Sequence, residues 1–439
     1  MKEKYNKRLY WNNDSLLFIP ESMKLFKIEP QTKEILESIG NGCEIARIKD
    51  TYNLSEQEFE QYKSLLKEKC PVHDTPTDTL IKLTIIISSK CNLTCKYCYA
   101  NSGRYDSCNE DIKLGTIKAT IDTFYKKYSN IQNIMLFGGE PTLNMDAIEY
   151  CCSYIDENYK KGIIKSKPTI GLVTNGTTVN DRFIEIINKY GLQITVSLDG
   201  PQEINDINRL YLDGSGTFAD IKKNIKLLQE KTSQPYAIEA TYTSSHVEKG
   251  YSVVDIVQYI KETFGVSKVH IAPTSEIGSK ELCIDKNTSF IKAIDDVYQY
   301  QDNDKDYSYT SLNVVLDGLK NKVTKTHFCE AGLARYAVST KGEIYPCYLF
   351  TDNKATCMGN VDDENVFESH QFKAIEGSLR DFNRHTLEKC KDCFNNTLCR
   401  QCIAENYFST GDLQNVPDKT CEFSKERAKH IMINMGNRT

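Results

Sequence analysis

The chain has 439 residues, with 55 Lys and Arg against 60 Asp and Glu, a formal net charge of -5. That length allows two to three domains with a barrel-sized core, and that balance excludes a globally basic surface for nucleic acid. No apolar run approaches the ~20 residues that cross a bilayer, and the opening MKEKYNKRLYWNND lacks a signal-peptide core, so a soluble cytoplasmic protein without a membrane partner is expected.

Residues 1–75 read as a small unit. Strand-like pieces (Leu9–Trp11, Leu16–Ile19, Met23–Ile28) precede helical patterns from Gln31 to about Lys69. Ser55 and Glu58 form a capping-box signature, after which Phe59, Tyr62, Leu65 and Leu66 share one helical face. Strands followed by helices suggest a winged-helix-like module, and Pro71–Asp78 reads as a linker.

Over residues 80–273, apolar runs alternate with helical stretches, as parallel βαβ units do. The strands expected are Leu83–Ile87, Ile134–Phe137, Ile170–Val173, Ile194–Leu198, Ile238–Tyr242 and Val269–Ile271. The helices expected include Ile117–Tyr128, Met145–Tyr159, Arg182–Tyr190, Ile221–Gln229 and Val253–Phe264. Six units suggest an α/β fold built as a partial (β/α)6 TIM-like barrel, with functional residues at the carboxyl ends of the strands. Residues 274–328 are polar, Tyr-rich and Asp-rich, and read as a bridging segment. Residues 329–439 then hold eight cysteines among turn formers, as expected of a loop-rich domain ordered by metal.

The chain has 17 cysteines, and in a reducing compartment those at short spacings point to metal rather than disulfides. Directly after the first strand of the barrel comes Cys91-Asn92-Leu93-Thr94-Cys95-Lys96-Tyr97-Cys98. Three thiolates on one loop can hold three irons of a cubane and leave the fourth open, which an electron-transfer centre with four cysteines cannot do.

This CxxxCxxC, with Tyr97 before its last cysteine, resembles the radical S-adenosylmethionine (SAM) superfamily. Gly138-Gly139-Glu140-Pro141, at the end of the second strand, is similar to the family's GGEP motif. The resemblance implies that its backbone and Glu140 meet the amino group of SAM. Ser197 and Asp199, ending the fourth strand, stand where relatives contact the ribose, and Asn175 of Thr174-Asn175-Gly176 is a further SAM candidate. Arg209, just before Gly214-Ser215-Gly216-Thr217-Phe218, would pair with the SAM carboxylate through its planar fork. The family's chemistry is reductive cleavage of SAM to a 5′-deoxyadenosyl radical that takes hydrogen from a substrate, with an electron supplied by a donor such as flavodoxin or ferredoxin.

Cys329, then Gly342-Glu343-Ile344-Tyr345-Pro346-Cys347, then Cys390-x2-Cys393-x5-Cys399-x2-Cys402 and Cys421 resemble the SPASM extension, which carries two auxiliary iron–sulfur clusters. By that resemblance Cys390, Cys393, Cys399 and Cys421 hold the outer cluster, and Cys329, Cys347 and Cys402 the inner one, giving three [4Fe–4S] clusters in all. The last spacing of the tight group is x2 where the family usually has x3, and a frequent cysteine close to the first is absent. Cys357 could supply the inner cluster's fourth bond, or that iron could be open for substrate. Zinc on the two CxxC pairs is the rival, but it leaves Cys329, Cys347 and Cys421 idle. Cys43, Cys70, Cys108, Cys151, Cys152 and Cys283 have no metal-like spacing and read as ordinary thiols.

Strands and three helices ahead of a radical SAM core and a SPASM tail resemble the RiPP recognition element, which binds the leader of a precursor peptide as an added strand. The rival is a helical cap on the barrel. Domain order and cysteine layout are most similar to the streptide-type peptide cyclases, which join Lys to Trp through a carbon–carbon bond. Thioether-forming maturases of the sactipeptide and ranthipeptide kind are the alternative, followed by a sulfatase-maturing type of oxidase and a non-catalytic leader-binding scaffold. For the base that removes the ring proton, Glu276 and Asp317 are the candidates.

Overall fold

A computed structural model describes residues 8–12, 15–103, 109–300 and 307–438. Its strands are β1 (Tyr10–Asn12), β2 (Leu16–Ile19), β3 (Lys24–Lys27), β4 (Thr79–Leu80), β5 (Lys82–Ser88), β6 (Asn130–Ile131), β7 (Asn133–Gly138), β8 (Thr169–Thr174), β9 (Gln193–Ser197), β10 (Ala237–Tyr242), β11 (Val269–Pro273), β12 (Arg335–Val338), β13 (Glu343–Tyr345) and β14 (Gly359–Asn360).

The six strands expected of the barrel are β5 and β7 to β11, each within a residue or two of its expected bounds. They lie side by side in chain order and all parallel. Alternation along them explains the layering. On β7, Ile134 and Leu136 are buried in the core shared with Ile117, Ile121 and Phe124 of the helix Leu114–Lys127, while Met135 and Phe137 face the other way and stay half-buried. The same alternation leaves Thr195 and Ser197 on β9 and Glu239 and Thr241 on β10 on that second, more polar face.

The sheet does not end at β5. β12 joins it in parallel, Arg335 opposite Lys82, and β13 and β14 follow antiparallel, so the central sheet is mixed and has nine strands. The C-terminal region is therefore less loop-rich than its turn formers suggest. Tyr336, Val338, Ile344 and Met358 enter the main core, and the helices His370–Asp381, Ile403–Thr410 and Asp418–Arg438 follow. The bridging segment also differs from expectation: it holds the helices Lys292–Tyr300 and Thr310–Asn321, the second burying Leu312, Val315 and Leu319 at helical spacing.

The N-terminal residues form a three-stranded antiparallel sheet, β1-β2-β3, and three helices, Pro30–Gly40, Ile45–Tyr52 and Glu56–Lys67. The Ser55 capping box forms as expected, Glu58 N–H donating to Ser55 Oγ at 3.2 Å and Ser55 N–H to Glu58 Oε2 at 2.9 Å. β2 is buried on both faces. Leu17 and Ile19 pack on the module's own helices, whereas Leu16 and Phe18 join the core of Ala428, Ile431 and Met432 from the last helix. The stretch after the module is pinned rather than free: His73 N–H donates to Thr324 O (2.9 Å) and Asp74 accepts from Thr326 N–H (2.7 Å). Among the described residues no helix is long and apolar enough to cross a membrane.

Candidate functional site

The cysteine loop starts where β5 ends, and two glycines seat it. Gly139 N–H donates to Ser88 O (2.8 Å) and Glu140 N–H to Lys90 O (2.7 Å). A Cβ on Gly139 would stand 2.3 Å from Lys90 O, and one on Gly138, at φ +152, would stand 2.2 Å from Ser88 O. No other residue type permits that approach of turn to loop. On its far side the loop pairs with the chain around Arg209: Thr94 N–H donates to Leu210 O (2.8 Å) and Lys96 N–H to Asn208 O (3.0 Å). The bridging segment closes over it, since a Cβ on Gly278 would meet Tyr97 O at 2.2 Å.

Cys91, Cys95 and Cys98 are brought together as electrostatic neighbours, and burial pushes the Cys91 thiol up to about 12 and the Cys95 thiol up to about 11. Thiols that resist losing a proton to water are ones for which a metal must supply the compensating charge. Asn175 faces this loop, its Nδ2 donating to Asn92 Oδ1 at 2.8 Å and lying 3.9 Å from Cys91 Sγ.

Glu140 is fully buried. Its Oε1 accepts from Thr142 N–H (3.0 Å), Thr142 Oγ1 (2.6 Å) and Thr174 Oγ1 (2.7 Å), and its Oε2 from Asn175 N–H (2.7 Å). Burial pushes its carboxyl pKa up while these bonds oppose the rise. Glu140 thus ties together the ends of β7 and β8, with Oε2 the less occupied oxygen. Pro141 opens the short turn Pro141–Leu143 behind it.

Arg209, Tyr97 and Asp199 form a buried triad. Arg209 Nη1 donates to the Tyr97 hydroxyl (2.9 Å), which donates to Asp199 Oδ2 (2.5 Å), while Asp199 Oδ1 accepts from Thr241 N–H (3.0 Å). Burial disfavours the guanidinium, but Tyr97, Cys95 and Asp199 more than offset it, and Arg209 is held charged. Its Nε is buried without a hydrogen-bond partner among the described residues. A charged fork with a vacant N–H beside the cysteine loop fits a carboxylate ligand. Ser197 instead donates to Glu239 Oε1 (3.0 Å).

The C-terminal cysteines sort into two sets. Cys390, Cys393, Cys399 and Cys421 line one cavity together with Phe328, Gln401, Lys389 and Lys425. Cys402 lines no part of it and has Cys329 as a neighbour, and Cys347 has both Cys402 and Cys329. Burial raises all three thiols, Cys347 to about 12. Among the described residues no three His, Cys, Asp or Glu side chains converge closely enough for a single metal ion. Four thiols spread around a cavity suit a cubane, whose thiolates bind different irons, better than they suit one zinc.

Some expected residues stand elsewhere. Cys357 donates weakly to Gly359 O (3.7 Å), has Glu343 and Asp363 as charged neighbours, and packs against the same apolar core as Cys329, Cys347 and Cys402. Glu276 follows β11 and lies near Cys283, at the strand ends where the cysteine loop sits, whereas Asp317 is exposed on the helix Thr310–Asn321. Cys108 lies outside the described residues; Cys151 and Cys152 are core residues. Sequence reasoning missed Asn92, His246 and Glu239. His246 Nδ1 accepts from Thr243 N–H (3.1 Å), so its Nε2–H donates to Asp199 O (3.0 Å), a link with no sequence signature.

Residues 85–260 match the family model of the radical SAM superfamily, and residues 329–394 match that of an iron–sulfur cluster-binding domain, SPASM. The chain carries a radical SAM domain followed by a SPASM domain. SAM and iron–sulfur clusters are the cofactors that go with these domains. The radical SAM cyclopropyl synthase TigE of Paramaledivibacter caminithermalis is 25% identical over 421 residues, 87% of this chain and 81% of that protein. A cysteine-type anaerobic sulfatase-maturating enzyme of Clostridium novyi is 23% identical over 335 residues, 73% of this chain and 86% of that one. In fold, the chain is similar to the crystal structure of Streptococcus suis SuiB bound to precursor peptide SuiA, with TM-score 0.58 and 15% identity over 95% of this chain and 99% of that one.

Proposed function

We propose that this radical SAM enzyme modifies a ribosomally made precursor peptide, forming an intramolecular carbon–carbon crosslink, Lys to Trp in the specific reading. The observation that carries the catalytic part is the cysteine loop clamped between the GGEP turn and Arg209, whose buried Nε lacks a partner. Cys91, Cys95 and Cys98 would hold the SAM cluster, and Arg209 the carboxylate of SAM; Glu140 would orient the turn whose backbone meets the amino group. Bound there, the cluster and SAM supply a carbon radical that takes hydrogen from the substrate. The protein's own part is to bind, orient and exclude water, which buried Tyr97, Asp199 and Asn175 serve.

Cys329, Cys347 and Cys402 would hold an inner auxiliary cluster, and Cys390, Cys393, Cys399 and Cys421 an outer one. Sorting of the cysteines into these two sets supports iron–sulfur over zinc. The peptide part rests on the three-stranded N-terminal sheet, whose outer strands β1 and β3 each offer an edge on which a leader could add as a strand. It gains support from the likeness to a protein solved with a bound precursor peptide and to an enzyme named for cyclopropyl synthesis.

A second reading is a thioether-forming maturase. It is favoured by an inner set of three cysteines, Cys329, Cys347 and Cys402, whose cluster would keep one iron open to a peptide thiol unless Cys357 closes it. The test is to incubate the anaerobically reconstituted enzyme with dithionite, SAM and the small peptide encoded beside it. Loss of two hydrogens with every thiol still alkylatable indicates a carbon–carbon link, and protected thiols indicate a thioether. Absence of 5′-deoxyadenosine would defeat both readings.

A further inference from the structure

We propose that Arg384, together with Lys425, is the resident counter-charge of the outer cysteine cavity and sets how readily the cluster held there accepts an electron. The inference rests on the reading of Cys390, Cys393, Cys399 and Cys421 as ligands of that cluster.

Arg384 is only 2% exposed. Its Nε donates to Lys325 O (2.5 Å), Nη1 to Asn396 O and Nη2 to Cys399 O (3.0 Å), and its plane lies 4.9 Å over the ring of Phe328, which lines the cavity. All these hydrogen-bond partners are carbonyls, so none of them neutralises the guanidinium. The carboxylate of Asp74 acts on it only through space, its oxygens accepting from Thr326 N–H (2.7 Å) and the Thr326 hydroxyl (2.6 Å).

A buried cation without a counter-ion is costly, and a chain keeps one where a negative group stands nearby. Burial and the nearby Arg400 disfavour the charged form of Arg384; the groups that favour it are Cys399 and Cys390 and, after them, Asp74. Lys425 adds a second cation in the cavity wall, and Lys389, a third, is paired with Asp418 at 2.6 Å. Donors also reach the sulfur directly: Gln401 Nε2 donates to Cys399 Sγ at 2.8 Å, and Ser424 Oγ lies 3.3 Å from it.

Reduction of a four-thiolate cubane adds one electron and one negative charge, with no bond made or broken and no proton moved. Fixed cations and donors at the sulfurs favour the more negative state, raising the potential. Arg384 is a positioning residue in this sense: it shapes the loop through three carbonyls and biases the cluster through its charge.

The test is an EPR-monitored redox titration of the full chain, reconstituted anaerobically, with iron content measured alongside. Arg384→Met is expected to weaken reduction of one auxiliary cluster by tenfold or more, 59 mV for a one-electron couple, leaving the other signals unmoved. Arg384→Lys keeps the charge and loses the fork, so it should restore most of that shift. Lys425→Met should lower the same potential severalfold in equilibrium terms, and it decides the matter if Arg384→Met fails to load iron. A wild-type enzyme that loses no iron on Cys421→Ser would defeat the ligand reading, and the proposal falls with it. A loaded outer cluster whose potential is unchanged in the charge-removing variants overturns the proposal alone.

Discussion

Arg209 donates to the hydroxyl of Tyr97 at 2.9 Å, which couples a residue of the cysteine loop to a buried cation 112 positions later in the chain. Tyr97 spends its own proton on Asp199, leaving the guanidinium charged and one N–H without a partner. Replacing Arg209 by Met removes that vacancy along with the charge. Losing a hydrogen bond to a charged group costs about 1.5–3 kcal/mol, roughly ten- to a hundredfold in affinity. Arg209→Met should therefore weaken SAM binding by that factor, measured by calorimetry on the reconstituted enzyme, while iron content holds. Unchanged SAM affinity would remove Arg209 from the cosubstrate site.

Gly139→Ala is the sharpest probe of the turn that seats the loop. Its Cβ would meet Lys90 O at 2.3 Å, backbone against side chain, with Gly103 Cα at 2.9 Å as the next obstacle. Neither can move without opening the loop that carries Cys91. Iron content should fall by about four per chain, and 5′-deoxyadenosine formation with it. Full iron loading in this variant would mean that the turn and the loop are not held together as described.

Much of this arrangement was legible in the sequence, because it is local. A strand of apolar residues, a tight cysteine spacing and a pair of glycines at the next strand end are read within a few residues of each other, and the six strands follow in expected order. What escaped depends on distance in the chain. Arg335 pairs beside Lys82 across more than two hundred residues, which no period announces. Cys357 has Glu343 and Asp363 as charged neighbours, a setting that its spacing from Cys347 does not announce. The bridging helices are obscured by Asp residues between their buried positions, and Arg384, in no motif, is set by carbonyls from two separate loops.

Cysteine substitution distinguishes the two C-terminal sets from a zinc site. With Cys402 beside Cys329 and Cys347, and Cys421 in the cavity with Cys390, Cys393 and Cys399, each should belong to a different cluster. Cys402→Ser and Cys421→Ser should each lower iron by about four atoms, and the double variant by about eight. If the double variant loses no more than either single one, the two cysteines serve one centre. Stoichiometric zinc with iron near four would restore the tetrahedral reading.

His246 gives the fold an acid-side sensitivity. Burial pushes its pKa below the usual 6.5, outweighing the carbonyl of Asp199, which favours the protonated ring. A depressed folded pKa means that the unfolded chain takes up the proton first. The contribution of His246 is therefore whole above about pH 6.5 and lost as the pH falls below it. The melting temperature should drop between pH 7.5 and pH 5.5, and His246→Gln should flatten that slope while lowering the value at pH 7.5. A variant with the parent's slope would assign the acid sensitivity to other groups.

The N-terminal module is tested best without deleting it. β2 sends Leu16 and Phe18 into the core with Ala428, Ile431 and Met432, and Tyr10 stacks on Phe394 at 4.7 Å, next to Cys393. Removing residues before Pro71 would uncover that apolar face and disturb the outer cavity, so lost activity would say little about peptide capture. Gly436→Val acts more narrowly. A Cβ there meets Leu16 Cδ1 at 2.7 Å, so a branched side chain displaces Leu16 from the seam between the last helix and β2. Amide exchange in β2 and β3 should quicken, and uncoupled SAM cleavage should persist. Capture of the precursor peptide should weaken, because an edge strand recruits another strand only while its own sheet is held in register. If loosened packing leaves capture intact and cleavage falls instead, the module is a structural cap on the enzyme and the leader binds elsewhere.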